Sequence, residues 1–350
     1  MTDAILRRFR PDQIREVVLL LVVVGMIVFF STQIEGYLSG RTFNRITTAF
    51  PIVAVMVVGQ VLVVLTRNID LSIGSQAGLI AYTLGSLIGN QPDLNPLLLI
   101  AMGLGMGAIL GGINGAVVAY GRVPAIITTL ATLAIYRVIL IEVSDARTVT
   151  TAGFPAWMLE FPSATLVQVG GLDIRLVFAI TLLTVAIGQL VLRYLPYGRR
   201  LYAIGSNPDA AQNVGLPAQR DVFWAFVGCG ALAGLGGFLF LAKFGNLTVE
   251  AGSGLELQVV AAVVVGGVNI FGGSGSMIGA FLGAVLVETL QQSLVRWIGV
   301  SDFLRDFLLG ALILVAVATD KIVVGRLQDA WVRVRRRDEA AARAAREAGR

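Results

Sequence analysis

The chain contains no histidine and one cysteine, Cys229, which lies inside an apolar segment. An internal disulfide is therefore impossible, and a metal site built from cysteine and histidine has no ligands. The two lysines, Lys243 and Lys321, follow Ala242 and Asp320, so the G-K-[ST] sequence of an ATP-binding P-loop is missing. Without histidine there is also no Ser-His nucleophile. We predict a protein that is not an enzyme and binds no cofactor itself.

Charge is scarce as well. Charged residues make up 14% of the 350 residues and hydrophobic residues 56%, with a mean hydropathy of +0.81. An average soluble domain has about 25% charged and roughly 45–50% apolar residues. The apolar residues come in blocks of about 15–25, the length of a membrane-crossing helix, and they do not alternate with polar ones as in a barrel. The sequence predicts an all-α, polytopic membrane bundle.

Ten membrane segments are predicted: 17–31, 50–66, 70–89, 96–120, 124–142, 174–195, 222–242, 256–271, 274–293 and 303–320. Two of them, 17–31 and 256–271, are short for a full crossing, which predicts one or two broken or re-entrant helices. The chain then divides into an N-terminal segment 1–16, a membrane domain 17–320 and a basic tail 321–350. No small-x-small cleavage pattern follows the first apolar run, so we interpret it as a retained helix.

Arginine clusters predict the orientation. They precede the first segment (Arg7, Arg8, Arg10, Arg15), flank the loop 196–221 (Arg193, Arg199, Arg200, Arg220) and follow the last segment (Arg333, Arg335, Arg336, Arg337). The positive-inside rule places all three regions in the cytoplasm, and ten segments divided six and four satisfy that requirement. We therefore expect both termini inside the cell, and we interpret the tail as a topology signal rather than a nucleic-acid arm.

The stretch "TRNIDLSIGS" puts polar side chains between the second and third segments. In one interpretation Arg67 and Asp70 lie in the headgroup layer and cap the next helix. In the other, Asn68, Asp70 and Ser72 line a permeation path at a broken helix, because buried ionisable groups in a bilayer usually mark a route. The sequence leaves both open. Since Arg67 and Asp70 are three residues apart, we predict that they pair and hold the break.

A weak internal repeat relates this stretch to a later one. Residues 61–78 and 262–279 share seven identities in eighteen positions at an offset of 201. Transporters often consist of two such halves, with the path between interrupted helices. Glycine-rich runs such as "GLGMGAILGGING" favour close helix packing rather than phosphate binding, because no soluble βαβ unit surrounds them.

The loop 196–221 carries the signals of a short helix. Asn207 suits the N-cap, Pro208 the first position, and Gly215 the end of the helix. A helix this short has little stability by itself in water, which suggests that contacts with another part of the protein or with a partner stabilise it. The small residues Ala210 and Ala211 would let another protein approach closely, although a plain connector on the membrane surface is the alternative.

Three stretches together resemble a known family. They are "NIDLSIGS", "GRRLYAIGSNPDAAQNVGLP" and "GSGLELQVVAAVVVGGVNIFGGSGSMIGAFLGAVL". In that order and at similar spacing they are similar to the permeases of bacterial ATP-binding cassette sugar importers of the ribose, xylose, rhamnose and autoinducer-2 group. The similarity runs over about residues 45–320. Arg67 and Asn68 stand where members of this family often have glycines.

The resemblance implies an inner-membrane assembly. Its parts would be two permeases, identical or paired, two cytoplasmic subunits that use ATP, and a periplasmic solute-binding protein. The mid-chain helix would be the coupling helix to the ATPase, with these contact residues: Gly205, Asn207, Pro208, Ala210, Ala211 and Gly215. A sugar-like solute would need hydrogen-bonding groups along its path, for which the candidates are Asn68, Asp70, Ser72, Asn269 and Ser274.

Two other classes stay open at this point. An ion-coupled secondary transporter with internal repeats would need an acidic ion site, for which Asp70, Glu142 or Glu288 could serve. A membrane scaffold would keep the packing glycines but has no need of a capped cytoplasmic helix.

Overall fold

The computed structural model describes residues 11–299 except 171, together with residues 304, 307, 308, 310, 311 and 314. Its helices are α1 (Pro11–Gln33), α2 (Gly40–Val64), α3 (Ile73–Asn90), α4 (Pro96–Ala119), α5 (Ala125–Ser144), α6 (Ala156–Glu160), α7 (Leu176–Tyr194), α8 (Pro196–Ser206), α9 (Pro208–Asn213), α10 (Ala218–Phe244), α11 (Leu255–Val265) and α12 (Met277–Ile298). Short 3₁₀ turns cover Thr151–Gly153 and Phe161–Ser163, and one hairpin pairs β1 (Thr165–Val169) with β2 (Leu172–Arg175). The predicted all-α membrane bundle is confirmed.

Seven helices in the described part of the chain are long and apolar enough to cross a membrane: α1, α2, α4, α5, α7, α10 and α12. The sequence predicted ten segments. Helix α3 has 18 residues but carries more polar ones, and α11 has only 11 residues. Of the tenth segment, 303–320, the structure describes only residues 304, 307, 308, 310, 311 and 314, so its full extent lies outside the described residues.

Two predicted segment bounds need correction. The segment 17–31 is not short, because α1 extends over 23 residues. The segment 50–66 begins ten residues too late, since α2 starts at Gly40, where the Ser39 hydroxyl accepts a hydrogen bond from the Thr42 amide. Its first turns are polar, and a hydropathy pattern does not detect such turns. The shortness of 256–271 is confirmed, because α11 ends at Val265.

Glycines bring α4 and α10 into backbone contact. A Cβ atom at Gly107 would collide with the carbonyl oxygen of Gly230, and one at Gly111 would collide with that of Phe226. At Gly115 it would lie 2.9 Å from the Phe223 carbonyl oxygen. The glycine-rich run is therefore a packing surface, as the sequence predicted.

The connection between α10 and α11 enters the bundle without forming a helix. We call residues 245–254 the inserted loop. Its Ala251 is buried, and its Gly252 packs against the backbone of Gly74 and Gly78 in α3. Arg137 of α5 donates from Nη1 to the carbonyl oxygens of Val249 (3.2 Å) and Ala251 (2.7 Å). In a helix these two carbonyls would accept hydrogen bonds from backbone amides; here Arg137 supplies the donors instead. With its polar groups bonded in this way, non-helical backbone can be buried inside a membrane protein.

The breaks in the helices lie at one end of the bundle and the β-hairpin lies at the other. We call residues 65–72, which follow α2, the first break, and residues 266–276, which follow α11, the second break. Both lie at the end that carries α8. The N-terminal part of α1 is also there, since Arg15 donates to the Gly267 carbonyl at 2.8 Å. The hairpin lies at the opposite end, where Asn44 near the start of α2 donates to Asp173 at 2.6 Å.

Candidate functional site

The first break begins with an unusual helix end. The Asn68 amide donates to the carbonyl oxygen of Val63 (3.3 Å) and the Arg67 amide to that of Val64 (3.0 Å), the pattern of a Schellman motif. Arg67 occupies the left-handed position with φ of +66°. Glycine normally takes this position, because a side chain there is strained.

The Arg67 side chain reaches the end of α8. Its Nε donates to the carbonyl oxygen of Gly205 at 2.6 Å, and its Nη2 to that of Ser206 at 2.8 Å. These carbonyls at the helix C-terminus have no partner within the helix and carry partial negative charge. The predicted pair between Arg67 and Asp70 is wrong, because spacing by three residues brings side chains together only on a helix and Arg67 is left-handed.

Asp70 is instead the centre of a buried polar cluster. It is fully buried and accepts hydrogen bonds from the Ser72 amide (2.9 Å), the Ser72 hydroxyl (2.6 Å), Gln76 Nε2 (3.1 Å) and Asn114 Nδ2 (3.4 Å). None of the described salt bridges includes Asp70. The carboxylate thus joins the start of α3 to α4 by hydrogen bonds to neutral groups. The sequence analysis missed Gln76 and Asn114, although Asn114 stands out as an amide in an apolar helix.

The second break repeats the helix end of the first. The Val268 amide donates to the Val263 carbonyl (3.1 Å) and the Gly267 amide to the Val264 carbonyl (2.9 Å), with Gly267 at φ of +89°. The equivalent residues of the two helix ends are therefore 200 positions apart, one fewer than the identities suggested. Asn269 closes the loop, since its amide donates to the Ser274 carbonyl at 3.0 Å.

The two breaks and the end of α8 meet at one place, which we call the junction. The Gly273 amide donates to the Leu65 carbonyl at 3.0 Å, and the Ser206 hydroxyl donates to the Gly273 carbonyl at 3.3 Å. Gly205 packs so closely that an added Cβ would collide with the Leu65 carbonyl. A movement of α8 must therefore displace both breaks.

A cavity of about 690 Å³ opens beside the junction. Ser274 lines it together with Gln189, Arg193, Tyr202 and Ser276. Of the five predicted path residues, Ser274 is the one that lines a cavity among those described, whereas Asp70 and Ser72 are fully buried in their cluster. Asn68 donates to the Thr66 carbonyl oxygen and hydroxyl, both at 3.0 Å.

Helix α9 follows α8 after one residue and has the predicted caps. The Asn207 Oδ1 accepts from the Ala210 amide at 3.0 Å, and Gly215 has φ of +76°. Ala210 is exposed and Val214 is 75% exposed, but Ala211 is buried within the chain itself. The sequence predicted that Ala210 and Ala211 would both face another protein. In the structure only Ala210 of these two is exposed.

Helix α8 is fixed to α10 by an ion pair. Arg200 donates from Nε to Asp221 Oδ2 at 2.5 Å and from Nη2 to Oδ1 at 3.1 Å, and the Tyr197 hydroxyl donates to the Asp221 carbonyl at 3.1 Å. The hydrogen bond with Asp221 raises the pKa of Arg200, and burial raises the pKa of Tyr197. Arg200 thus holds Asp221 in a bidentate contact, which gives the joint a defined geometry.

Bundled apolar helices interrupted by polar breaks are the architecture of a multi-pass membrane protein. Residues 42–317 match the family model of the permease component of branched-chain amino acid transport systems. The chain belongs to this family.

Relatives match over almost their full length. A probable ABC transporter permease protein y4mJ of Sinorhizobium fredii is 34% identical over 304 residues, covering 87% of this chain and 88% of the relative. The autoinducer 2 import system permease protein LsrC of Escherichia coli is 33% identical over 325 residues, covering 93% and 91%. LsrC of Enterobacter sp. is 33% identical over 317 residues, covering 91% and 88%. No solved structure matches the chain.

Proposed function

We propose that this chain is the membrane-spanning permease subunit of an importer that passes a small sugar or sugar-like solute into the cytoplasm. A periplasmic binding protein would deliver the solute, and separate subunits would hydrolyse ATP. The family and the autoinducer 2 import permeases among the relatives support this proposal. The chain itself binds no cofactor in this scheme.

The junction is the observation that carries the proposal. It connects α9, a capped helix with exposed Ala210 and Val214, to both breaks through Gly205 and Arg67. An ATPase that pushes α9 would thus move the ends of α2 and α11 directly. We assign α9 as the coupling helix and 196–221 as the coupling loop, with Gly205, Asn207, Pro208 and Gly215 shaping it.

The same assignment gives the orientation. The end of the bundle that holds α8 and α9 faces the cytoplasm of a bacterial cell, and the hairpin end faces the periplasm. Segments 1–16 and 321–350 are then cytoplasmic, and 17–320 is the membrane domain in the inner membrane. Two permeases, identical or paired, would form the transport unit.

The predicted path residues divide into two roles in this proposal. Ser274 contacts the solute as it leaves through the cavity beside the junction, and Asn269 shapes the loop that presents Ser274. Asn68, Asp70 and Ser72 hold the first break in position, because their polar atoms bond to neighbouring groups.

Co-purification tests the proposal. The permease, expressed with the ATP-binding and solute-binding proteins from its own cell, should retain the ATP-binding subunit and show uptake that stops when ATP hydrolysis is blocked. Ala210→Glu should reduce uptake and ATPase association together while the permease still inserts into the membrane. Ala152→Glu, the same change at an exposed residue of the first 3₁₀ turn and outside the coupling loop, is the matched control and should leave ATPase association unchanged. Uptake that continues without any ATPase would instead identify an ion-coupled transporter.

A further inference from the structure

A second cavity lies towards the opposite end of the bundle from the junction. We call it the glutamine cavity; it has a volume of about 170 Å³ and lies between α2, α10, α11 and α12. Its polar lining consists mainly of Lys243, Gln258, Glu288, Gln291 and Gln292. This volume accommodates several water molecules. None of these residues belongs to the breaks or to α9.

Gln291 is the most informative of these residues. Its side chain is 5% exposed, and its Nε2 has no hydrogen-bond partner among the residues that the structure describes. Leaving a buried amide donor unsatisfied is costly, and proteins rarely keep such a group without a reason. A guest that brings a hydrogen-bond acceptor into the cavity would satisfy this donor.

The residues that line the cavity indicate what kind of ligand it would bind. Lys243 and Glu288 contribute opposite formal charges, and Gln292 donates to Glu288 at 2.9 Å. Three glutamines offer both donors and acceptors, while Phe240 and Phe244 add an apolar wall with ring centroids 4.5 Å apart. A few polar groups that fix orientation beside aromatic rings are typical of a small-molecule site. The balanced charge suits a neutral solute rich in hydroxyl groups.

The backbone around the cavity is also interrupted. Ser253 of the inserted loop and Leu255 at the N-terminus of α11 both line it. Membrane proteins tolerate non-helical backbone at such depth where it is buried in protein or lines a water-filled cavity, and transporters place their binding sites at interrupted helices. From Leu255, α11 runs directly to the second break and the junction.

We infer that the glutamine cavity is a binding station for the neutral, hydroxyl-rich solute on its way to the junction. The inference rests on the proposed function and adds a site for the solute far from the breaks. Helix α11 then connects the station to the coupling helix, because its other end lies at the second break.

Cysteine accessibility tests the station without knowledge of the solute. Gln292→Cys in a Cys229→Ala background, in membranes containing the complete transporter, is treated with a small hydrophilic methanethiosulfonate reagent. Labelling should be measurable and should change about tenfold between the ATP-free state and the state trapped with ATP and vanadate. Gln33→Cys, at the exposed end of α1, should label equally in both states. A cysteine at 292 that does not label, or labels equally in both states, overturns the inference.

Uptake gives the second measurement. Gln291→Leu removes the unsatisfied donor, so the thermal midpoint of the complex should not fall, while uptake of D-ribose, D-xylose or L-rhamnose should drop about tenfold. Gln33→Leu is the control. Wild-type uptake by Gln291→Leu contradicts a role for Gln291 in the station. If the wild type takes up none of the three sugars, the solute class of the proposed function fails, and the labelling alone decides the cavity.

Discussion

The first and second breaks end their helices with the same hydrogen-bond pattern, yet one has Arg67 and the other Gly267 in the left-handed position. After Arg67 the chain is held by side chains: the guanidinium on α8 and the Asp70 carboxylate on α3 and α4. After Gly267 the chain has three more glycines at positive φ before α12 starts, Gly272, Gly273 and Gly275, and its own backbone closes the loop between Asn269 and Ser274.

The difference suggests a separate mechanical role for each break. The first break is fastened to the bundle on both sides, so it is suited to transmit force from α8. The second break is rich in glycine and closes on itself through Asn269, so it is suited to change shape next to the cavity lined by Ser274. The following changes test that division, from the largest expected effect to the smallest.

Gly205→Ala should abolish uptake, because its Cβ would collide with the Leu65 carbonyl and separate α8 from the first break. We expect a loss of at least about a hundredfold, which corresponds to roughly 2.7 kcal/mol. The measurement is ATP-dependent uptake, with membrane insertion checked on the same sample. Gly25→Ala in α1, where a Cβ meets nothing within 4 Å, is the control. Uptake near the wild-type rate would refute the junction as the transmitting contact.

Asp70→Ala should destabilise the permease by about 3 kcal/mol, because the Ser72 hydroxyl loses its acceptor in a buried place and the amides of Gln76 and Asn114 keep only the Ser72 hydroxyl oxygen as acceptor. Asp70→Asn keeps one acceptor oxygen and should cost less. Thermal unfolding of the purified complex measures both. Asp93→Ala, at an exposed turn residue, should leave the midpoint unchanged. Equal midpoints for Asp70→Ala and the wild type would mean that the cluster does not hold the break.

Two substitutions separate the strain that Arg67 places on the backbone from the hydrogen bonds that its side chain makes. Arg67→Ala loses two hydrogen bonds and keeps the strained backbone, whereas Arg67→Gly loses the bonds but relieves about 1 kcal/mol of strain. Arg67→Gly should therefore be the more stable of the two by thermal unfolding, although both should lower uptake per ATP hydrolysed. If Arg67→Ala and Arg67→Gly transport as efficiently as the wild type, the contacts with α8 have no role in coupling.

Gly267→Asn should have the smallest effect, with a cost below about 1 kcal/mol, because asparagine tolerates the left-handed conformation. The new side chain would meet the flexible side chain of Arg15 rather than backbone. Uptake and thermal midpoint should both stay close to wild type, and Gly267→Val should be clearly worse. A severe loss in Gly267→Asn would show that the second break is as rigid as the first.

Local signals predicted local structure well. The caps Asn207 and Gly215 define α9 because capping depends on residues only a few positions apart. The position of the first break was also predictable, since polar residues interrupt apolar runs there. The partner of Arg67 was not, because its contact with Gly205 joins residues 138 positions apart and depends on a left-handed backbone that a helical spacing rule does not describe.

Long-range contacts limited the remaining predictions. Asn114 lies in the apolar helix α4, 44 positions from Asp70, and nothing in its own sequence neighbourhood connects it to Asp70. The inserted loop and the glutamine cavity were missed for a related reason. Hydropathy records that a stretch is apolar, but it does not distinguish a buried loop from a helix end.

The inserted loop also constrains how the chain enters the membrane during synthesis. Its Val249 and Ala251 carbonyls depend on Arg137, which is synthesised more than a hundred residues earlier in α5. Helix α11, with 11 residues, is too short to cross the bilayer by itself. The translocation machinery must therefore release α10, the loop, α11 and α12 together against a bundle that already contains α5, so the second half of the protein assembles on the first.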